Sequence, residues 1–476
     1  MMTVTREQWR ARWESLQNEP LFVAAGAQWR RAPWDITWRD IPALTRQVRL
    51  TPDMLQARLK DYLDRPASAR PIALYLHIPF CTLQCTYCAF SKQHYQERQV
   101  EEYVALLLQE IASIGQTEFA RTANVVAIFF GGGTPGVLQP EQIQAIMGAL
   151  RKAFTIAPTA EITFESSLDD LNMEKYHVAV TSGINRFSFG VQAFTTDVRQ
   201  RIGRRDTRES AKRRLSEYVA AGRADIVIDL IYGLPGQTVA SIREDVRDAM
   251  ECGIAGLDLY KLQILPKSIL GQQYKRNNWT QDQDKLQELF RAATEELEAV
   301  AEPISCSHWR ARESERSLYN TLVFAGHDMV AFGMACGGRL GRVRFMKPIA
   351  PPMYRAAVAQ GYRPMAGSLV GTEDAALRRL TSAADRGVIT PQRLDEETDL
   401  PMSLFLTPIL QSWETHGLVT RRGDAYVYTA AGRYAYKAMS RVLQWAFHYL
   451  AYDAAAFASD DKDAKNNLAA DNPMSF

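Results

Sequence analysis

From Pro71 onward the chain alternates short apolar runs with longer stretches whose apolar residues recur at helical spacing. The runs at 72–78 (IALYLHI), 125–130 (VVAIFF), 161–166 (EITFES), 186–191 (RFSFGV), 226–232 (IVIDLIY) and 257–264 (LDLYKLQI) have strand length and β-branched or aromatic content. Between them, 99–115, 139–154, 172–181, 209–221 and 239–251 read as helices. Strands and helices alternating in this way predict an α/β fold, a parallel sheet with right-handed crossovers.

The flanks differ in character. Residues 1–70 form a Trp- and Arg-rich N-terminal extension (Trp9, Trp13, Trp29, Trp34, Trp38) with a helix from Thr51 to Leu63 ahead of Pro66. Trp9 and Trp13, at i and i+4, are expected to pack one helical face against the main domain. The α/β core spans 71–300 and closes on a polar helix near 282–300. A joining segment, 301–364, leads to a C-terminal domain at 365–453. There a helix near 403–416 ends at Gly417, a hairpin turns at Arg422-Gly423-Asp424, and Thr429 caps a last helix. That order is winged-helix-like, and the lack of a basic recognition helix favours a cap over the core rather than DNA binding. The tail, 454–476, is small and polar and is expected to be disordered.

Composition narrows this little. The 476 residues, 46% of them hydrophobic, suffice for a large core, and a net charge of +2 selects no nucleic-acid partner. Six cysteines are too few for a disulfide framework in a chain of this length, and Cys252, Cys306 and Cys336 stand alone as small hydrophobes. The start lacks a signal-peptide pattern, and no apolar run approaches the ~20 residues that span a bilayer. A cytoplasmic, reducing location is expected.

The first apolar run leads straight into Pro79-Phe80-Cys81-Thr82-Leu83-Gln84-Cys85-Thr86-Tyr87-Cys88, a C-x3-C-x2-C loop. Three thiolates this close together can grip one face of a cubane iron–sulfur cluster, leaving one of four irons open to a substrate. Zinc is the rival use, but it wants a fourth Cys or His at short spacing, and His94 is the nearest candidate. The next strand ends in Gly131-Gly132-Gly133-Thr134-Pro135, where glycines let the backbone approach a ligand. With Arg186-Phe187-Ser188-Phe189-Gly190-Val191-Gln192-Ala193-Phe194 and Asp229-Leu230-Ile231-Tyr232-Gly233-Leu234-Pro235-Gly236-Gln237-Thr238, these motifs resemble the radical S-adenosylmethionine (SAM) enzymes. Within them, the chain resembles the oxygen-independent coproporphyrinogen III dehydrogenase group over roughly residues 71–450.

The resemblance implies a partial (β/α)6 TIM-like barrel with functional groups at the C-terminal ends of the strands. It implies a [4Fe–4S] cluster on Cys81, Cys85 and Cys88, and SAM, two molecules of it, held by Tyr75, Gly133, Thr134, Glu165, Gln192, Arg204 and Asp229. Glu165 would hydrogen-bond SAM, Arg204 would pair with its carboxylate, Gln192 and Asp229 would face the nucleoside, and Glu165, Gln192 and Arg204 are the catalytic candidates. The sixth strand runs through Tyr260 and Lys261. Phe90 stands where the dehydrogenase has a fourth cysteine, which counts against a decarboxylase. The His-Asn and Tyr-Trp pairs of the group's haem chaperones are incomplete around Tyr319 to Phe324. Leu257 to Leu262 and Ala331 to Gly338 resemble the anaerobic haem-degrading methyltransferases. That resemblance implies haem or another tetrapyrrole as substrate, a flavodoxin- or ferredoxin-type electron donor, and SAM used as both radical source and methyl donor. A haem-trafficking protein, a methylase of another heteroaromatic ring and a coproporphyrinogen III dehydrogenase are the alternatives. For haem, Arg339, Arg342, Arg344 and Lys347 are candidates for propionate pairing, with a solvated basic hairpin as the plainer reading, and His308 or His327 for the iron.

Overall fold

The structure, a computed structural model, describes residues 6–18, 47–89 and 93–451. Trp29, Trp34, Trp38, Phe90 and the tail expected to be disordered lie outside the described residues. The chain forms two compact units, one of Gln47–Thr372 and one of Met1–Arg46 with Glu373–Phe476.

The larger unit is built on the expected alternation. Strands β1 (Ile72–Ile78), β2 (Asn124–Gly132), β3 (Thr155–Ser166), β4 (Arg186–Gln192), β5 (Asp225–Tyr232) and β6 (Gly256–Lys261) pair in parallel, each with the next. The intervening helices, such as Glu97–Gly115 and Pro140–Ala153, bury one apolar face against them. Thr117, Asn172, Thr207, Thr238 and Ser268 cap helix starts by accepting first-turn backbone N–H groups. Strand β3 starts six residues earlier than the pattern predicts, because Thr155 and Ile156 pair with Asn124 and Val125 before a register shift. Pro158 hid that start from a sequence reading.

A seventh parallel strand, β7 (Met329–Phe332), comes from the segment expected only to join core and cap, and lies beside β1 with Ala331 opposite Tyr75. Beyond it, Gly337–Leu340, Val343–Met346, Ala366–Val370 and Gln47–Leu50 continue the sheet antiparallel. At the far edge, His308–Arg310 and Glu302–Pro303 follow β6, also antiparallel, so the barrel is partial rather than closed.

In the smaller unit, helices Asp374–Arg386, Pro391–Thr398 and Ser403–Thr415 precede a hairpin, Val419–Arg422 and Ala425–Tyr428, and the helix Ala430–Ala451. Val388–Ile389 makes the hairpin three-stranded. Trp9 and Trp13 pack within this unit: Trp9 lies 6.1 Å from both Phe405 and Phe447, and Trp13 6.3 Å from Phe405, ring centre to ring centre. Their helix finds its apolar partner on Ser403–Thr415 and Ala430–Ala451, which share no sequence neighbourhood with it.

Candidate active site

The cysteine loop leaves the C-terminal end of β1 and is pinned on every side. Tyr95 N–H donates to the Cys81 carbonyl (2.9 Å), Thr86 N–H to that of Ile202 (3.1 Å) and Leu270 N–H to that of Thr86 (2.8 Å). Cys81, Cys85 and Cys88 form no disulfide and are half-buried, and Thr134 Oγ1 donates to Cys81 Sγ at 3.3 Å. No three His, Cys, Asp or Glu side chains among the described residues gather tightly enough for a single metal ion. Three thiolates on one short loop suit a cubane cluster, one thiolate to each of three irons.

The glycine triplet serves the protein's own packing. Gly133 N–H donates to the Ile78 carbonyl (2.8 Å) and Thr134 N–H to that of Phe80 (2.8 Å), which ties this turn to the cysteine loop. A side chain on Gly133 would sit 2.6 Å from the Phe80 carbonyl oxygen, and one on Gly131 would sit 2.7 Å from Glu165 Oε2. The expectation of bare backbone facing a ligand is thus only part of the reason for these residues.

Glu165 projects from β3 under this turn and accepts from Gly132 N–H at 3.3 Å. Burial pushes its carboxyl up to about 7 against the pull of the Gly132 amide and Arg186. Asp229 on β5 is raised well above the usual carboxylate range, first by burial and then by Asp258 and Glu165. Strand β4 ends in a bulge that leaves Gln192 at φ +71°, in the left-handed region that a glutamine seldom occupies. The twist turns Gln192 back over Gly190, where a side chain would lie 2.7 Å from Gln192 Nε2. Arg204 reaches the same spot, donating to the Gly190 carbonyl at 2.9 Å and bonding Tyr87 of the cysteine loop. Gln192 Oε1 and Arg204 Nε are buried with no hydrogen-bond partner among the described residues. Buried polar atoms are nearly always satisfied, so the pair points to a ligand with a donor for one and an anion for the other. Zwitterionic SAM supplies both.

Tyr75 from β1, Phe129 from β2 and Tyr319 stack as an aromatic wall, with Phe129 and Tyr319 centred 4.5 Å apart. Below the rim is a buried charge network that sequence reasoning missed. Arg186 grips Glu315 with two hydrogen bonds (2.9 and 3.0 Å), and His308 lies 2.9 Å from Asp258 and 3.1 Å from Glu315. Burial opposes the charge on His308, but the two carboxylates prevail and hold its pKa at about 9. Glu315, despite its burial, is kept well below the carboxylate range by Arg186 and His308. Both ring nitrogens of His308 face carboxylates, so it is no axial ligand for haem iron.

The other haem candidates also fall away. His327 Nδ1 bonds the Pro71 carbonyl (2.9 Å) at the N-terminal end of the barrel, opposite the cysteines. Met329 pairs with both Ala73 and Arg339, and Arg339 with Arg344, which places the arginine hairpin at that same remote end. Lys347 is buried, paired with Glu110 and centred 3.9 Å over the Tyr362 ring. The chain reverses after Phe332, and that reversal carries the three arginines away from the rim, while the return strand brings Lys347 back beside Cys336, where Glu110 neutralises it.

No helix among the described residues is long and apolar enough to cross a membrane. The sequence profile of the Radical SAM superfamily matches residues 75–249, strands β1 to β5 with their helices. The chain is 30% identical to anaerobilin synthase of Escherichia coli O157:H7 over 390 residues, 81% of this chain and 87% of that one. It is 30% identical to heme chaperone HemW of Bacillus subtilis over 279 residues, 57% of this chain and 71% of that one. The solved coproporphyrinogen III oxidase (HemN) of Escherichia coli superposes with a TM-score of 0.70 at 23% identity, over 82% of this chain and 93% of that one, and shows the same fold. With the cysteine loop, the glycine turn and the unsatisfied Gln192 and Arg204 at one rim, the chain belongs to the radical SAM superfamily, in the coproporphyrinogen oxidase-like group, whose cofactors are a [4Fe–4S] cluster and SAM.

Proposed function

We propose that this protein is a radical SAM methyltransferase that methylates and opens haem without oxygen, releasing iron. The observation that carries the reading is the extent of the similarity to anaerobilin synthase, which runs through 81% of the chain where the chaperone relative matches 57%. When bound, the cluster and SAM supply the 5′-deoxyadenosyl radical, and SAM also supplies the methyl group.

The chain's residues provide position and charge. Cys81, Cys85 and Cys88 would hold the cluster on a loop fixed by Ile202 and Leu270. Arg204 would take the SAM carboxylate, and Glu165, ionised on binding, its ammonium. Gln192 and Asp229 would face the nucleoside. The wall of Tyr75, Phe129 and Tyr319 gives a planar group an apolar face and keeps water from it. The network of Arg186, Glu315, His308 and Asp258 fixes the floor on which Glu165 and Asp229 stand.

The test is anaerobic incubation of the reconstituted protein with haem, SAM and a reductant, followed by mass spectrometry. A methylated, ring-opened, iron-free tetrapyrrole supports the reading. Intact haem held tightly while SAM is cleaved would instead favour a haem carrier, the reading that the HemW similarity supports.

A further inference from the structure

One flank of the cysteine loop is unusual in both charge and apolar exposure. Leu270, whose amide bonds Thr86, begins the buried side of a helix, Ile269–Arg276, that packs Leu270 and Tyr274 against Tyr87 and Ile202. Its outer side and the turns around it expose Leu265 (37%), Ile269 (38%) and Trp279 (55%) to solvent. Around these lie Lys267, Lys275 and Arg276, all exposed and none in an ion pair with any described residue. From Leu259 to Gln281 the chain carries Lys261, Lys267, Lys275 and Arg276 and no Asp or Glu, a local charge of +4 in a protein whose total is +2. On the other side of Thr86, exposed Arg201 and Arg205 extend the basic rim, and Thr86 Oγ1 donates to the Arg201 carbonyl at 3.4 Å.

We propose that this apolar centre with its basic rim is the docking surface for an acidic flavodoxin that feeds electrons to the cluster. The inference rests on the cysteine loop holding the cluster and is independent of the haem chemistry. Each cleavage of SAM takes one electron, and only a carrier that touches the protein beside Cys85 and Cys88 has a short path to deliver it. A single-sign rim steers an oppositely charged partner and fixes its orientation. The exposed aliphatic and indole groups match the apolar benzenoid edge of a flavin at a carrier's surface, and one Thr86 hydrogen bond separates the patch from the loop.

The experiment titrates fluorescently labelled, oxidised flavodoxin into the reconstituted protein at low and high ionic strength. The wild-type affinity should fall steeply with salt. The double variant Lys275→Glu, Arg276→Glu should bind about tenfold more weakly or worse and lose most of the salt dependence. Trp279→Ala should weaken binding while keeping the salt slope. In parallel, 5′-deoxyadenosine formation by the charge-reversed protein should drop with reduced flavodoxin and stay at the wild-type level with dithionite, which needs no docking site. Unchanged flavodoxin affinity, an equal loss with dithionite, or tight binding of ferredoxin in flavodoxin's place would each overturn the proposal. Absence of any cleavage by the wild-type protein with dithionite would instead remove the cluster reading beneath it.

Discussion

Glu165 offers the sharpest test of the site. Its carboxyl stands at about 7 against an ordinary 4.5, raised first by burial, pulled back by the Gly132 amide and Arg186, and raised again by Asp258. A difference of that size sets about 3 kcal/mol against the charged form. Because the folded protein holds this proton more tightly than the unfolded chain, the residue costs nothing below the unfolded value. The penalty grows as pH rises through the folded one. Glu165→Gln, neutral throughout, should therefore stabilise the SAM-free protein by up to about 3 kcal/mol at about pH 8 and by nothing near pH 4.5. Binding runs the other way. An ammonium needs the ionised carboxylate, so wild-type SAM affinity should weaken roughly 15-fold between about pH 7 and about pH 5.5, with proton release on binding. The variant should bind SAM more weakly with a flat profile over the same range. Anaerobic calorimetry in buffers of different ionisation enthalpy measures both affinity and proton count, with the cluster spectrum as control. A wild-type affinity that ignores pH, or the same slope in Glu165→Gln, would refute the pairing of Glu165 with the ammonium.

Replacing Cys81, Cys85 or Cys88 with Ala should abolish reductive SAM cleavage, and a triple-Ala protein retaining full iron and sulfide would sink the cluster assignment. Gly190→Ala would put a methyl 2.7 Å from Gln192 Nε2 and 3.5 Å from Arg204 Nη2. It should therefore cut SAM affinity by about tenfold or more with an unaltered cluster spectrum, and unchanged affinity would free both side chains of that role. Arg186→Met removes the bidentate partner of buried Glu315 and leaves His308 to face both Glu315 and Asp258, which should lower unfolding stability by about 3–5 kcal/mol in denaturant titrations, a loss under about 1 kcal/mol meaning the network is not held as described. Alanine at Arg339, Arg342 or Arg344 should leave haem affinity unchanged in optical titrations, and a drop in any of them would place haem at the N-terminal end of the barrel.

The six strands from Ile72 to Lys261 were legible because each is an apolar run bounded by helical periodicity, a signal carried within a short window. Strand β7 was not, since Met-Val-Ala-Phe is too short to separate strand from helix and its reason to be extended is β1, far away in sequence. The cysteine spacing and the polar residues at strand ends could be read directly. Arg186, Asp258, His308 and Glu315 could not, because singly each looks like an ordinary solvated charge and only the fold brings them together. Lys347 misled for the converse reason: it follows three arginines in sequence, yet its partner Glu110 comes from a helix between β1 and β2.

The placement of β7 beside β1 also bears on how the chain is made. Strand β1 is among the first parts of the barrel to leave the ribosome, yet one of its edges stays open until Met329–Phe332 arrives. Until then its backbone N–H and C=O groups along an apolar strand form a template for pairing with another chain. The rim loop that carries Cys81, Cys85 and Cys88 follows directly on that same strand. A fragment ending near residue 300 should thus aggregate rather than persist as a smaller barrel, and nascent chains of this protein have reason to need a chaperone for most of their synthesis.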